Sequence, residues 1–207
     1  MLAAGLGLGG CQAVFTGLYG IREPQRLEAA QLPTVAADYG VPASAPSAAL
    51  DTSFLRVLRR MDQSDSAASK NHSQFLQAVY YDAAGRQQSF HINCYAGGFP
   101  NLTWNRDGLL SQFPPAQQAP RDTLLTLAEH LACLRPALPP PPAADYTVVV
   151  HWSRFMTRQS RRLIAAVQQN VALAPPGTRV AVVYVNTDSF YHQIYQWEDE
   201  WAARQGK

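Results

Sequence analysis

No stretch of about 18 consecutive apolar residues occurs in the 207-residue chain, so no segment reads as a membrane-spanning helix. Net charge is also slight. Lys and Arg number 17 against 15 Asp and Glu, a balance of +2, which removes the electrostatic basis for nucleic-acid binding. Lysine is nearly missing, and almost every basic residue is arginine. Cysteine occurs three times and never as Cys-x-x-Cys, so the vicinal pair of a dithiol oxidoreductase is missing. No serine sits in a Gly-x-Ser-x-Gly elbow, which removes one common nucleophile arrangement. His91-x-x-Cys94 has the spacing of half a metal site. On a strand, however, its two residues point to opposite faces, so no metal is expected there. Nothing implies a cofactor. Gly5-x-Gly7-x-x-Gly10 matches a dinucleotide fingerprint as a string, but no strand precedes it, so it is set aside.

What is present is enough for a core. Hydrophobic residues make up 47 %, and the length suits one domain with extensions. The expected division is residues 1–10 as the end of a signal peptide, 11–48 as a Pro- and Ala-rich tether, and 49–202 as an α/β domain. The tether reading rests on Pro24, Pro33, Pro42 and Pro46 among small residues, with one short helix near 25–32.

Apolar periodicity gives the elements of the domain. Phe54, Leu55, Leu58 and Met61 predict a helix over 50–61 capped by Asp51, and the polar run 62–72 predicts a loop. Residues 75–81 and 88–95 predict a hairpin turning at Asp82-Ala-Ala-Gly85. Residues 96–120 are irregular. Leu124, Leu127, Leu131 and Leu134 predict a helix over 122–134, followed by a polyproline connector at 139–142. Residues 146–152 (YTVVVHW) and 179–186 (RVAVVYVN) are near-continuous apolar runs on either side of an amphipathic helix over 158–173. Strands apolar on both faces belong inside a parallel sheet, so this is a βαβ unit. A last helix over 189–201 carries Phe190, Ile194, Trp197 and Trp201 on one face, with Asp188 as its cap.

Leu8-Gly9-Gly10-Cys11 resembles the lipobox of bacterial lipoproteins: an aliphatic residue, two small residues, then cysteine. The resemblance implies acylation of Cys11. It also implies a basic signal region upstream, because residues 1–10 hold no Lys or Arg. Several acyl chains at about 0.8 kcal/mol per buried CH₂ hold a protein to a bilayer without a transmembrane helix. Gln12 rather than Asp follows the cysteine, which implies an outer-membrane address, with a membrane and an envelope protein as the partners to expect. The competing reading is a plain Gly-rich terminus with an incidental cysteine.

The segment VVVHWSRFMTRQSRRLI followed by VAVVYVNTD resembles the thioredoxin-like fold over residues 121–190. The resemblance implies a mixed α/β sheet with a C-terminal βαβ unit and the hairpin placed before it. It aligns Met156-Thr157-Arg158-Gln159 with the family's Cys-x-x-Cys, and neither Met nor Gln forms a disulfide. The family's redox chemistry therefore does not carry over at this position, and binding or assembly is expected rather than catalysis.

Two other sites remain open. With Cys11 acylated, Cys94 and Cys133 are an even pair that either forms a disulfide, giving a thiol-dependent protein, or stays as two separate thiols. Arg154, Arg158, Arg161 and Arg162 crowd the start of a helix against its dipole. They read either as an anion-binding cluster or as solvated surface. His151, at the end of the first apolar strand, reads as a structural histidine before a ligand.

Overall fold

The computed structural model describes residues 23–98, 101–138 and 143–205. Residues 1–22 lie outside it, and with them the lipobox and Cys11, as does the connector 139–142. The described chain folds around one six-stranded mixed sheet of order β3-β2-β5-β6-β1-β4. The strands are β1 (Ser47–Leu50), β2 (Gln77–Asp82), β3 (Gln87–Ile92), β4 (Leu134–Arg135), β5 (Tyr146–Trp152) and β6 (Val180–Asn186). β5, β6 and β1 run parallel, whereas β2 is antiparallel to β5, β3 to β2, and β4 to β1. The arrangement is broadly thioredoxin-like.

β5 lies in the middle because both its faces are apolar. Val148, Val150 and Trp152 enter one core cluster and Val149 the other, all at 0 % exposure. The helix between β5 and β6, α6 (Thr157–Val171), covers the first face with Leu163, Ile164 and Val167. The second face is covered by α2 (Phe54–Ser64) and α7 (Asp188–Arg204) through Phe54, Leu58, Met61 and Phe190. The hairpin turns where expected. The Asp82 carboxylate accepts from the backbone N–H of Ala84 and Arg86, and Gly85 takes φ 73°, which an L side chain resists.

Four expectations need correction. Residues 11–48 do not form a tether throughout. Leu27, Leu32, Ala36, Tyr39 and Val41 are buried in the first core cluster, and 47–50 is a sheet strand. The helix there is α1 (Leu32–Asp38), later than the predicted 25–32. Pro33 sits in its first turn, where a missing N–H costs nothing. The loop expected at 62–72 is helical instead. α2 runs to Ser64, and α3 (Ser66–His72) starts at Asp65, whose carboxylate accepts from the N–H groups of Ala67 and Ala68. The strand expected to reach residue 95 stops at Ile92, and a single turn, α4 (Asn93–Ala96), follows. The helix expected over 122–134 shrinks to α5 (Leu127–Ala132), because the Asp122 side chain binds the N–H of Leu124 and a capping box between Thr126 and Glu129 starts the helix.

Candidate functional site

In open α/β sheets, ligands gather beyond the carboxyl ends of parallel strands. Here that place is closed by a carboxylate. Asp188, 1 % exposed at the start of α7, accepts four hydrogen bonds: Ser153 Oγ (2.6 Å), Arg154 N (2.8 Å), Arg154 Nε (2.6 Å) and Asn186 Nδ2 (3.2 Å). Arg154 also donates through Nη2 to the carbonyls of Gln25 (2.9 Å) and Arg26 (3.0 Å), so one guanidinium ties the N-terminal strap to the sheet end. Beside it, Ser160 Oγ both accepts from Ser153 N and donates to Ser153 O.

The Arg cluster is dispersed by these contacts. The charge of Arg154 is matched by Asp188. Arg158 donates to Asn101 Oδ1 (3.3 Å), and Arg161 donates to the Asp38 carbonyl (3.1 Å) with its guanidinium 5.3 Å above the Tyr39 ring. Arg162 is exposed on α6. At the positions aligned with Cys-x-x-Cys, Met156 and Gln159 are buried. The Gln159 side chain accepts from Leu102 N, and its carbonyl from Trp104 Nε1. The pair holds the irregular segment after α4 against α6.

Cys94 and Cys133 are free thiols. Cys94 follows β3 and Cys133 precedes β4, the two opposite edges of the sheet. Five strand spacings put them on the order of 20 Å apart, far beyond the Cα separation a disulfide spans. Of the two readings left open for Cys94 and Cys133, the disulfide does not fit this fold and the two separate thiols do. Cys94 is exposed, its Sγ donating to Gln74 Oε1 (2.7 Å), in a cleft of about 360 Å³ that Lys70, Arg121 and Asp122 also line. Cys133 is 5 % exposed, and burial pushes its thiol above the ordinary range. We expect a thiol reagent to label Cys94 at once in the native protein. Cys133 should react about 100-fold more slowly, approaching Cys94 only in denaturant. Equal labelling rates without denaturant would contradict this burial.

Histidine supplies the chemistry that sequence reading missed. Four of the five histidines, His72, His91, His130 and His151, are at 0 % exposure. His130 on α5 and His151 on β5 meet Nε2 to Nε2 at 2.8 Å, and the Tyr81 hydroxyl lies 2.9 Å from His130 Nδ1. His72 Nε2 donates to Asp122 Oδ2 (2.8 Å) with its ring stacked on Phe90. On the other face of the sheet, His91 Nε2 lies 3.0 Å from Ser89 Oγ. Among the described residues no three His, Cys, Asp or Glu side chains converge to hold a metal. The four lie on different elements, and only the folding of α5 back against β5 brings two of them together.

An open concavity lies at the opposite end of β6. β1 pairs with β6 only from Tyr184 onward, so among the described residues Val180–Val183 has no strand partner on that side. An open groove of about 850 Å³ follows this stretch, walled chiefly by Ala45, Leu131, Leu138, Val171, Val182 and Tyr184. Arg179 at its mouth is paired with Asp145.

Comparison with protein-family models, with curated proteins and with solved structures finds no match. The functional reading therefore rests on these residues. Among the described residues, no helix is long and apolar enough to cross a membrane.

Proposed function

We propose that the chain is a binding or assembly domain of a bacterial cell envelope, held to the outer membrane by acyl chains on Cys11. Its contact surface is the groove beside β6. The groove carries this reading. It has a volume of about 850 Å³, its walls are chiefly apolar, and a strand with an unpaired edge runs along it. Unpaired backbone donors and acceptors between apolar walls suit an extended apolar segment better than a small polar substrate. We read the hairpin β2–β3 as the counterpart of the one that ends a thioredoxin-like chain, moved ahead of β5-α6-β6; its antiparallel pairing with β5 supports that reading. Thiol chemistry is disfavoured. Cys94 and Cys133 sit at opposite sheet edges, and the Cys-x-x-Cys positions hold buried Met156 and Gln159.

Two measurements test the two halves of the proposal. Intact mass of the protein extracted from membranes should show diacylglyceryl and acyl groups on Cys11, and an unmodified soluble product ends the anchor reading. An apolar fluorescent probe should bind the native domain. Val182→Glu should weaken that binding by about tenfold or more, because it places a carboxylate in the aliphatic wall. Unchanged probe affinity, with far-UV circular dichroism preserved, ends the groove reading.

A further inference from the structure

The His130–His151 contact has a property the proposed function does not use. Counting donors fixes its protonation. If Tyr81 O–H donates to His130 Nδ1, then His130 Nε2–H donates to His151 Nε2, and only His151 Nδ1–H is left over. In the reverse arrangement both the Tyr81 hydroxyl proton and His151 Nδ1 are left over. Both arrangements leave His151 Nδ1 unpartnered, as it is in the structure, but the reverse also strands the Tyr81 hydroxyl proton, so the first is favoured. In that arrangement both rings are neutral, and a second proton on His130 Nδ1 displaces the Tyr81 O–H donor while one on His151 Nε2 faces the His130 Nε2–H.

The surroundings offer no counter-charge. β2 contributes the Tyr81 hydroxyl, and α3 contributes His72, which Asp122 already engages. α5 contributes Glu129, which binds Arg60 of α2 at the surface. From α2 and α7 the contacts are aromatic: Phe54 lies within 5.8 Å and 6.2 Å of the two rings, and Phe190 lies behind it. Tyr191 of α7 is committed to the Ser73 carbonyl. β3 offers Phe90, stacked on His72. A cation formed on either imidazole is thus buried and unpaired.

The cover over this pair is short. Residues 122–133 form one six-residue helix and its flanks. They are held by Leu127 N to Gly85 O, by Arg60 to Leu124 O and Glu129, by Asp122 to His72, and by Asp51 N to Cys133 O. The opposite face is held by the fifteen-residue α6.

We propose that His130 and His151 form an acid-sensitive latch: taking up protons, they release segment 122–133 from the sheet while α6 stays seated. Burial and then the neighbouring His72 pull His151 down to about 3. Burial, then His151 and His72, hold His130 well below the ordinary imidazole range. The open segment binds protons at the ordinary value and the closed one does not. The latch is therefore fully closed above about pH 6.5 and weakens as pH falls from there toward about 3.

Cys133, at the end of the released segment, reports the opening, and exposed Cys94 corrects for reagent chemistry in the same molecule. A disulfide reagent active at acid pH is used on the full chain. Between about pH 7 and pH 5 the opening constant rises about 25-fold for each imidazole that stays neutral while the latch is closed, so with both rings neutral the Cys133-to-Cys94 labelling ratio should rise several hundredfold. Hydrogen exchange at pH 5 should leave α6 amides at least about 100-fold better protected than those of α5. His151→Gln should cut the rise to that of a single imidazole, about 25-fold. A rise below about threefold in the native chain overturns the proposal. So does equal protection of α5 and α6 at pH 5, which means global unfolding. Imidazole ¹⁵N shifts supply a check that needs no variant. Rings that stay neutral at pH 5 in the folded chain support the latch, and folded-state titration near pH 6.5 refutes it.

Discussion

A chain that begins at Ser44 is expected to be unfolded, whereas one that begins at Glu23 keeps the fold. The shorter chain loses Leu27, Leu32, Ala36, Tyr39 and Val41, all buried against the α6 face of the sheet. Large apolar side chains contribute about 1.5–3 kcal/mol each on burial, so four of these and an alanine sum to roughly 7–12 kcal/mol. A domain's whole stability is about 5–15 kcal/mol. The deletion also uncovers Trp152, whose ring packs 4.8 Å from that of Tyr39, and takes away the Gln25 and Arg26 carbonyls that hold Arg154. The check is cooperative urea unfolding followed by tryptophan fluorescence. A sharp transition in the chain starting at Ser44 would restore the tether reading of these residues.

Asp188→Ala is the single substitution expected to cost most. It removes one acceptor group from four donors, of which the Ser153 hydroxyl, the Arg154 N–H and the Asn186 amide have little access to water. Hydrogen bonds to a charged group are worth about 1.5–3 kcal/mol each, and buried donors left alone carry a desolvation penalty besides. The Arg154 guanidinium is 27 % exposed and turns to solvent, so its share is discounted. A loss of about 3–5 kcal/mol results. At a urea dependence of roughly 2 kcal/mol per molar, the midpoint moves down by about 2 M. Asp188→Asn keeps an acceptor oxygen and should lose about half as much. Equal midpoints for Asp188→Ala and the unaltered chain would show that the Ser153–Arg154 loop is held by packing alone.

The two core strands and the helix between them were legible because their signals are local. An apolar run such as VVVHW has no other home than a covered sheet, and Leu163, Ile164 and Val167 mark one side of a helix. The hairpin was legible from Asp82 and Gly85 for the same reason. The strap at 27–41 was not, since its buried residues are thinly spaced among proline and alanine that read as linker. α3 was missed because Ser, Asn, Lys and His dominate it, although Asp65 before it was a usable cap signal. Asp188 was read as a helix cap, a local role. Its actual duty is to join loop, strand end and strap, and no pattern in sequence encodes that. The histidines were scattered over α3, β3, α5 and β5, so their pairing waited on strand register and on where α5 folds back. Cys94 and Cys133 show the opposite failure. Counting left open a partnership that the placement of β3 and β4 at opposite edges forbids.

The strap also bounds how far the domain would reach from a bilayer if Cys11 carries the proposed acyl chains. Were the chain loose from Cys11 to Pro46, its 35 steps would span up to about 120 Å at full stretch. With Leu27 and the carbonyls of Gln25 and Arg26 pinned to the sheet end, no more than 12 steps separate the proposed anchor at Cys11 from Glu23, about 40 Å at full stretch. On the proposed Cys11 anchor, a domain so short-leashed would patrol a thin layer next to the lipid headgroups, and any partner it met there would itself lie within that layer.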